Sequence, residues 1–186
     1  MPKKKTSKAK KPENRITKIL DQAKIRYKIL EHKVVYTAHD VGATTKKKLS
    51  GIAKVVLVKV EGPMSVIARS ASDEAIPSMT KGNYFALIVL PAGKYVDFAG
   101  IKKALKVKKV SMANEKDITK YLKTKVGLLH PFGSEYNIQT LLDKGVSKAK
   151  KMISSAGSYT QSVEVAVKDF EKLVKPIKGA FSKAKK

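Results

Sequence analysis

The chain has 186 residues, of which 42% are apolar, and this is enough for one domain with a buried core. Cysteine is absent, so the sequence excludes disulfide bonds and thiolate chemistry. Forty Lys and Arg residues stand against fifteen acidic ones, a net charge of +25, which predicts a polyanionic partner. No apolar run reaches the roughly eighteen residues of a membrane helix, so we expect no membrane partner and a cytoplasmic location.

Lysine-rich segments flank the predicted domain at both ends. Residues 1–11 contain six lysines and residues 175–186 contain five, with no acidic residue in either segment. We predict a basic disordered tail over residues 1–12, a folded domain over residues 13–174 and a basic C-terminal tail over residues 175–186. Nearly all basic residues of the domain are lysine, which favours contacts with phosphates over contacts with base edges.

Hydrophobic periodicity predicts alternating helices and strands in the first half of the chain. Thr37 is a suitable N-cap for a helix that would extend through Lys48. Between two strongly apolar strands, residues 61–82 carry several Gly and Pro residues and are predicted to form a loop with one short strand. The predicted elements are a helix over residues 16–23, a strand over 27–31, a helix over 37–48, and strands over 54–58, 64–68 and 84–90.

The second half continues in the same manner, with one helix that begins at Asp97 and another for which Asn114 is a suitable N-cap. Two glycine-anchored turns interrupt it, at Gly127–Gly133 and at Gly157–Ser162. Mixed strands and helices in this order predict one α+β domain. The predicted elements are a helix over residues 97–105, a strand over 109–112, a helix over 115–122, strands over 138–142, 151–155 and 162–166, and a closing helix over 167–174.

The two glycine turns and one lysine form the candidate site. Glycine lets a backbone approach a ligand closely, and binding residues concentrate on loops that a rigid scaffold holds. Lys54 follows Gly51-Ile52-Ala53 and leads into a strongly apolar strand. An ammonium at that position can lie at the sheet edge and point into a pocket. The pattern therefore predicts a small pocket between Lys54 and the two turns.

Five short stretches stand in a characteristic order along the chain. They are Thr37-Ala38, Ala53–Val58, Val89–Ala92 with Asp97, the Gly127…Pro131-Phe132-Gly133 turn, and Gly157-Ser158 followed by Ser162-Val163-Glu164. In this order they resemble the YbaK/prolyl-tRNA-synthetase-associated family of editing domains, which deacylate mischarged tRNA. The resemblance extends from about Ile16 to Leu173.

The resemblance implies a fold and a reaction. The fold is an α+β domain in which a twisted mixed β-sheet, partly closed into a barrel, is surrounded by helices. The reaction is hydrolysis of the ester that joins a wrong amino acid to the 3′ end of tRNA, without a cofactor. Because a synthetase segment does not fit within 186 residues, we expect action in trans on aminoacylated tRNA, with an aminoacyl-tRNA synthetase as a further candidate partner.

The resemblance also assigns site residues. Lys54 falls on the characteristic lysine of the family, and Gly127–Pro131 falls on its Gly-x-x-x-Pro loop. A cation and backbone amides near the ester carbonyl stabilise the charge that develops there during hydrolysis. We expect Lys54, Gly127 and His130 to be catalytic. The expected substrate-binding residues are Thr37, Leu128, Leu129, Pro131, Gly157 and Ser158.

Ester hydrolysis requires an activated water, and the histidines His32, His39 and His130 are the available bases. His130 lies inside the first turn, whereas His32 and His39 are expected at the surface or at a strand edge. A hydroxyl of the terminal ribose, which helps to organise the attack in this family, is the alternative to a protein base. Tyr159 and Phe132 lie in the two turns, where each can stack on the terminal adenine or pack in the core.

The chain departs from the family pattern at the candidate pocket. Val55 follows the lysine where a polar residue is frequent, and Leu128 and Leu129 are bulkier than the expected loop residues. A narrowed pocket predicts a small amino acid, alanine- or serine-sized, on tRNA-Pro or a related tRNA. The same departures support an alternative, a catalytically silent RNA-binding module of the same fold.

Lysine clusters are the predicted tRNA contacts. The sequence predicts no metal site, because it has no cysteine, no His-Glu-x-x-His motif and no histidine pair at helical spacing. The predicted tRNA-binding residues are Lys46, Lys47, Lys48, Lys102, Lys103, Lys148, Lys150 and Lys151.

Overall fold

A five-stranded mixed sheet forms the centre of this computed structural model, which describes residues 15–62 and 83–184. The sheet combines antiparallel and parallel pairs. Strand β2 (Ala53–Glu61) runs antiparallel to β5 (Lys109–Met112) and β3 (Asn83–Pro91), whereas β6 (Gln139–Asp143) runs parallel to β3 and β9 (Ile177–Gly179). In spatial order the strands are β5, β2, β3, β6 and β9.

A second, antiparallel sheet has three strands, with β8 (Gln161–Ala166) between β1 (Tyr27–Glu31) and β7 (Lys151–Ser155). A parallel bridge between Ile52 and Ile153 links this sheet to the start of β2. Two further strands, β4 (Tyr95–Val96) and β10 (Ser182–Lys183), pair with each other. Since the bridge is parallel, β2 and β7 leave it in the same direction.

Six helices surround the sheets within residues 15–62 and 83–184, and three of them begin directly after a residue at which the sequence predicted a helix start. Thr37, Asp97 and Asn114 each accept a hydrogen bond from a backbone amide of the first turn. The helix after Thr37 ends at Thr45 rather than at Lys48, because Lys46 adopts a left-handed conformation with φ 53°. The helices are α1 (Arg15–Gln22), α2 (Ala38–Thr45), α3 (Phe98–Leu105), α4 (Glu115–Leu122), α5 (Lys144–Ser147) and α6 (Val167–Val174).

The core lies on both faces of the five-stranded sheet, because successive side chains of β2 point to opposite faces. Val58 packs with Ile101 and Leu105 of α3, whereas Leu57 packs with Ile118 and Leu122 of α4. A third apolar cluster joins α1 and α6 to both sheets; its members include Leu20, Val89, Leu142, Val163 and Phe170. The two sheets are therefore held together mainly by apolar packing.

The α+β class predicted from the sequence is confirmed, but the partly closed barrel is not. Within residues 15–62 and 83–184 the strands form separate sheets of five, three and two strands, and none of these closes on itself. The predicted tail over residues 1–12 and the predicted strand over residues 64–68 lie outside the described residues.

The C-terminal segment that the sequence set apart as a basic tail contributes to the fold. Residues 177–179 form the β9 edge strand, and Phe181 is fully buried against α3 and β6. The backbone amide of Phe181 donates a 2.8 Å hydrogen bond to the carboxylate of Asp143. The sequence did not predict this strand, because the apolar residues Ile177 and Phe181 stand among several lysines.

None of the helices in the described ranges combines the length and the apolar character needed to span a bilayer.

Candidate functional site

A cavity of about 220 Å³ lies between the two sheets, beside α2 and the two glycine turns. Part of its lining is apolar and includes Val35, Ala38, Val41, Ile52 and Val55. The polar groups of the lining belong to His32, Thr37, Lys54, Ser155, Ser158 and Ser162. A concave site with an apolar wall and a few converging polar groups is typical of ligand binding.

Lys54 lies at the edge of this cavity, near the start of β2. Its ammonium donates a 2.7 Å hydrogen bond to the backbone carbonyl of Lys94 and lies 5.5 Å from the centre of the Tyr95 ring. Partial burial lowers the pKa of the Lys54 ammonium. The half-buried cation is thus fixed on the turn that follows β3, at the edge of the cavity.

The first glycine turn reaches the cavity through Val126, Gly127 and Leu129. Gly127 has φ +84°, and a Cβ built on it would lie 2.7 Å from the carbonyl oxygen of Tyr36 and 3.2 Å from Cε1 of Tyr159. The glycine is therefore required by a close approach of protein groups. The sequence predicted that this space serves the substrate, and the structure assigns it to Tyr36 and Tyr159.

Tyr159 connects the two glycine turns. Its hydroxyl donates a 3.0 Å hydrogen bond to the carbonyl of Val126, and its ring packs on Tyr36 with the ring centres 5.0 Å apart. Tyr36 lines the cavity and is 65% exposed. The two turns, thirty residues apart in sequence, thus form one rim, on which Tyr36 presents an aromatic surface to solvent.

His32 and Ser162 form a hydrogen-bonded pair in the cavity wall. Nε2 of His32 lies 2.9 Å from Oγ of Ser162, and Nδ1 lies 2.9 Å from the carbonyl oxygen of Lys33. His32 stands directly after β1, and its backbone amide donates to the carbonyl of Thr160 beside β8. Pairing between β1 and β8 therefore places the imidazole next to the serine.

A comparison with known proteins shows the family of the chain. Residues 32–173 match the family model of the aminoacyl-tRNA editing domain. The chain belongs to the aminoacyl-tRNA editing domain family. The resemblance found in the sequence is thereby confirmed.

Relatives of this editing domain cover nearly its whole length. The chain is 24% identical over 160 residues to the prolyl-tRNA editing protein ProX of Acetoanaerobium sticklandii, which covers 84% of this chain and 86% of ProX. Its fold is similar to the crystal structure of a hypothetical protein, with a TM-score of 0.75, 15% identity and coverage of 91% and 100% of the two chains. It is also similar to a proposed trans-editing enzyme for prolyl-tRNA synthetase, with a TM-score of 0.70, 13% identity and coverage of 91% and 96%.

Five of the nine predicted catalytic and substrate-binding residues of the editing domain line the cavity, namely Lys54, Gly127, Thr37, Leu129 and Ser158. Thr37 uses its hydroxyl to cap α2, where it accepts a 3.1 Å hydrogen bond from the Asp40 amide. The Ser158 hydroxyl accepts a hydrogen bond from the amide of Thr160. Both hydroxyls therefore shape the rim through the local backbone.

The other four predicted residues are absent from the lining: His130, Leu128, Pro131 and Gly157. His130 is buried and stacks on Tyr136 with the ring centres 4.4 Å apart. Burial, and secondarily the charge of Arg15, lowers the pKa of His130 to about 3. The structure therefore does not bring this imidazole to the cavity. Phe132 is fully buried as well, so it packs in the core.

The cavity also contains residues that sequence reasoning undervalued or missed. His32 was expected at a strand edge without a role, and Tyr36 and Ser162 were not selected. His32 follows a predicted strand, but its pairing with Ser162 depends on the register between β1 and β8, which the sequence does not reveal.

The eight predicted tRNA-binding lysines of the editing domain are all exposed. Lys46–Lys48 follow directly on α2, which lines the cavity, and lead into a 3-10 helix, Leu49–Gly51. That helix packs beside α5 and β7, which places residues 148–151 next to the same surface. Lys102 and Lys103 belong to α3, which packs on β5 and β9. In residues 15–62 and 83–184, no three His, Asp or Glu side chains are grouped as metal ligands.

Proposed function

We propose that this protein is an aminoacyl-tRNA deacylase that acts in trans and hydrolyses the ester of mischarged tRNA. The convergence of Lys54 and both glycine turns on one cavity, in a chain of the editing family, carries this proposal. ProX, which has a similar length and is described as a prolyl-tRNA editing protein, supports it.

Electrostatic stabilisation of the ester carbonyl is the proposed role of Lys54. A cation fixed beforehand at a site of growing negative charge costs no reorganisation during the reaction. The carbonyl of Lys94 holds the ammonium without neutralising it, because a carbonyl is uncharged. We assign the loop from Gly127 to Leu129 to the opposite side of the ester, where it positions the acyl group.

The 3′ end of tRNA would enter at the rim formed by the two glycine turns. Tyr36 is exposed there and is backed by Tyr159, so its ring can stack on the terminal adenine. Base stacking on an aromatic ring contributes about 1–3 kcal/mol per base. The exposed lysines at positions 46–48, 148, 150 and 151 would hold the acceptor arm through its phosphates.

The apolar residues of the cavity lining support a small amino acid as the substrate. Val55 and Leu129 stand where the family pattern led us to expect a polar and a smaller residue, and both line the cavity. A pocket with these side chains excludes larger acyl groups by clash, which discriminates more strongly than a missing methylene. We propose an alanine- or serine-sized substrate on tRNA-Pro or a related tRNA.

A catalytically silent RNA-binding module is the second candidate. The specific observation that favours it is the hydrogen bond between Lys54 and Lys94, since an ammonium held by the backbone could be structural. This candidate predicts tRNA binding without turnover.

A deacylation assay over a panel of mischarged tRNAs tests the proposal. Purified protein is incubated with alanyl-, seryl- and prolyl-tRNA, and the remaining ester is quantified over time. We expect turnover of a small aminoacyl ester on a non-cognate tRNA and sparing of prolyl-tRNA. Tight tRNA binding with no turnover on any member of the panel would establish the silent module instead.

A further inference from the structure

The hydrogen-bonded pair of His32 and Ser162 has the geometry of a proton-accepting unit. A carbonyl oxygen can only accept, so the 2.9 Å contact with Lys33 places the proton of the neutral imidazole on Nδ1. Nε2 is then the free base and accepts a hydrogen bond from the Ser162 hydroxyl at 2.9 Å. The backbone carbonyl thus orients the base, and the base orients the hydroxyl, as in nucleophile–base–orienter arrangements.

The pair and Lys54 line the same cavity. Ile52 and Ile153 form a parallel bridge, and Lys54 and Ser155 follow two residues later on their respective strands. Ser155 is the register partner of Ser162 on β8. The strands therefore bring the cation of one sheet and the hydroxyl–imidazole pair of the other to the same end of the cavity, where both contribute to its lining.

We propose that Ser162 and His32 relay the proton of the attacking water in ester hydrolysis, a role that rests on the proposed deacylase function. The water gives a proton to Oγ of Ser162 while Oγ gives its own proton to Nε2 of His32. The water oxygen bonds to the ester carbon, and the tetrahedral intermediate collapses with cleavage of the bond between that carbon and the ribose oxygen. The imidazolium returns the proton through Ser162 to the ribose oxygen, which restores the neutral pair.

Ser162 acts as a relay in this scheme and forms no acyl-enzyme. It lies on the central strand of the three-stranded sheet, paired with Leu30 on one side and with Ser155 on the other. Its side chain is 1% exposed. A hydroxyl held in the wall in this way can contact a water in the cavity, but its backbone cannot shift toward the ester carbon.

A pH profile distinguishes the relay from a merely structural hydrogen bond. Among residues 15–62 and 83–184, the titratable side chains that line the cavity are His32, Tyr36 and Lys54, and of these types only an imidazole ordinarily changes its charge between pH 5 and 8. The α-amino group of the substrate also titrates near pH 8. Comparing variants on one substrate removes that contribution, because it is common to all of them.

The experiment measures kcat and KM from pH 5 to 8 for wild type, His32→Ala, Ser162→Ala and Ser162→Thr, with His39→Ala and Ser134→Ala as exposed controls. We expect His32→Ala and Ser162→Ala each to lower kcat about 10²-fold or more. The double variant should lose no more than either single variant, because the two groups act as one unit. The acid limb of the profile should disappear in His32→Ala, and Ser162→Thr should retain activity because it keeps the hydroxyl.

Several results would overturn the relay while leaving the deacylase intact. These are an unchanged acid limb in a folded His32→Ala protein, full activity of Ser162→Ala, or an acyl-enzyme trapped on Ser162 by acid quench and mass spectrometry. If His32→Ala does not fold, the comparison of Ser162→Ala with Ser162→Thr decides. If wild type deacylates no substrate, the proposed function fails first, and the two failures are thereby distinguished.

Discussion

The ammonium of Lys54 donates a 2.7 Å hydrogen bond to the backbone carbonyl of Lys94, which belongs to the turn after β3. The partner is a main-chain group, so the position of the cation depends on the fold of the turn and is independent of the Lys94 side chain. This relationship supplies a matched pair of variants, each of which removes one lysine charge, at Lys54 or at Lys94.

Lys54→Ala should lower kcat/KM for deacylation by about 10²- to 10³-fold, the loss typical of removing one preorganised group that stabilises a developing oxyanion. Lys94→Ala removes an exposed lysine but keeps the carbonyl, so its activity should stay close to that of wild type. Single-turnover kinetics with circular dichroism on each variant provides the measurement. Equal losses in the two variants would mean that Lys54 contributes only to the general positive field.

Gly127→Ala should lower both stability and activity, because its Cβ would lie 2.7 Å from the Tyr36 carbonyl and would displace the exposed tyrosine at the rim. Gly157→Ala is the control, since Gly157 has a similar φ of +78° but no atom within 4 Å of an added Cβ. We expect a destabilisation of about 1 kcal/mol for Gly157→Ala, from backbone strain alone, and a larger one for Gly127→Ala. Urea denaturation of both variants measures this difference, and equal values would exclude the contact with Tyr36 as its cause.

Leu129→Val should widen the set of accepted amino acids. Leu129 lines the cavity and also packs in the core beneath α4, so the smaller change to Val limits the loss of stability to roughly 1 kcal/mol. The ratio of deacylation rates for a larger and a smaller aminoacyl ester should rise about tenfold. Leu128→Ala changes the neighbouring residue, which is outside the lining, and should leave the ratio unaltered. If the ratio of rates shifted in Leu128→Ala but not in Leu129→Val, Leu129 would not be the residue that limits the size of the accepted amino acid.

Binding of tRNA should weaken steeply with salt, with a log–log slope of several units, because exposed lysines release counterions from phosphates. Substituting Lys46, Lys47 and Lys48 by Gln should reduce the slope by about 2. The Lys102→Gln/Lys103→Gln variant tests α3 separately, which packs on the edge strands of the five-stranded sheet. Filter binding at several salt concentrations gives the slopes, and a flat dependence in wild type would contradict an electrostatic mode.

His130 should make the fold sensitive to acid. Its pKa is lowered from 6.5 to about 3, so between these values the unfolded chain binds a proton that the folded protein does not bind. The contribution of His130 to stability is therefore complete above about pH 6.5 and declines by about 1.4 kcal/mol per pH unit below it. Urea denaturation of wild type and His130→Phe at pH 7.5 and 5 tests this. The difference in unfolding free energy between the two proteins should change by about 1.4 kcal/mol for each pH unit below 6.5. A difference that is the same at both pH values would show that His130 does not titrate on unfolding.

The sequence predicted those features of the fold whose signal lies within a single helix or strand. The structure contains the predicted helix starts at Thr37, Asp97 and Asn114 and the predicted strands of residues 27–31, 109–112 and 151–155. The β9 strand escaped prediction because three residues of a lysine-rich segment carry too little pattern, and its stability derives from pairing with β6. The barrel was expected from resemblance alone, and no local pattern bore on it.

The residues of the candidate site likewise differ in whether a local sequence pattern could predict them. Lys54 and Gly127 were accessible from the sequence, since each is marked by its position in a motif. The pair of His32 and Ser162 was not, because residues 130 positions apart are joined only by strand register. His130 was favoured for its place inside a glycine turn, but the direction of its side chain is set by Tyr136 and the surrounding core.

The bridge between Ile52 and Ile153 lies beneath the cavity, with Lys54 on one sheet and Ser162 on the other. A bound acyl group would therefore contact both the five-stranded and the three-stranded sheet. Its binding would couple the local opening of the two sheets, so that amide exchange should slow on β2 and β8 together. The substrate would thus stabilise the contact between the sheets as well as react.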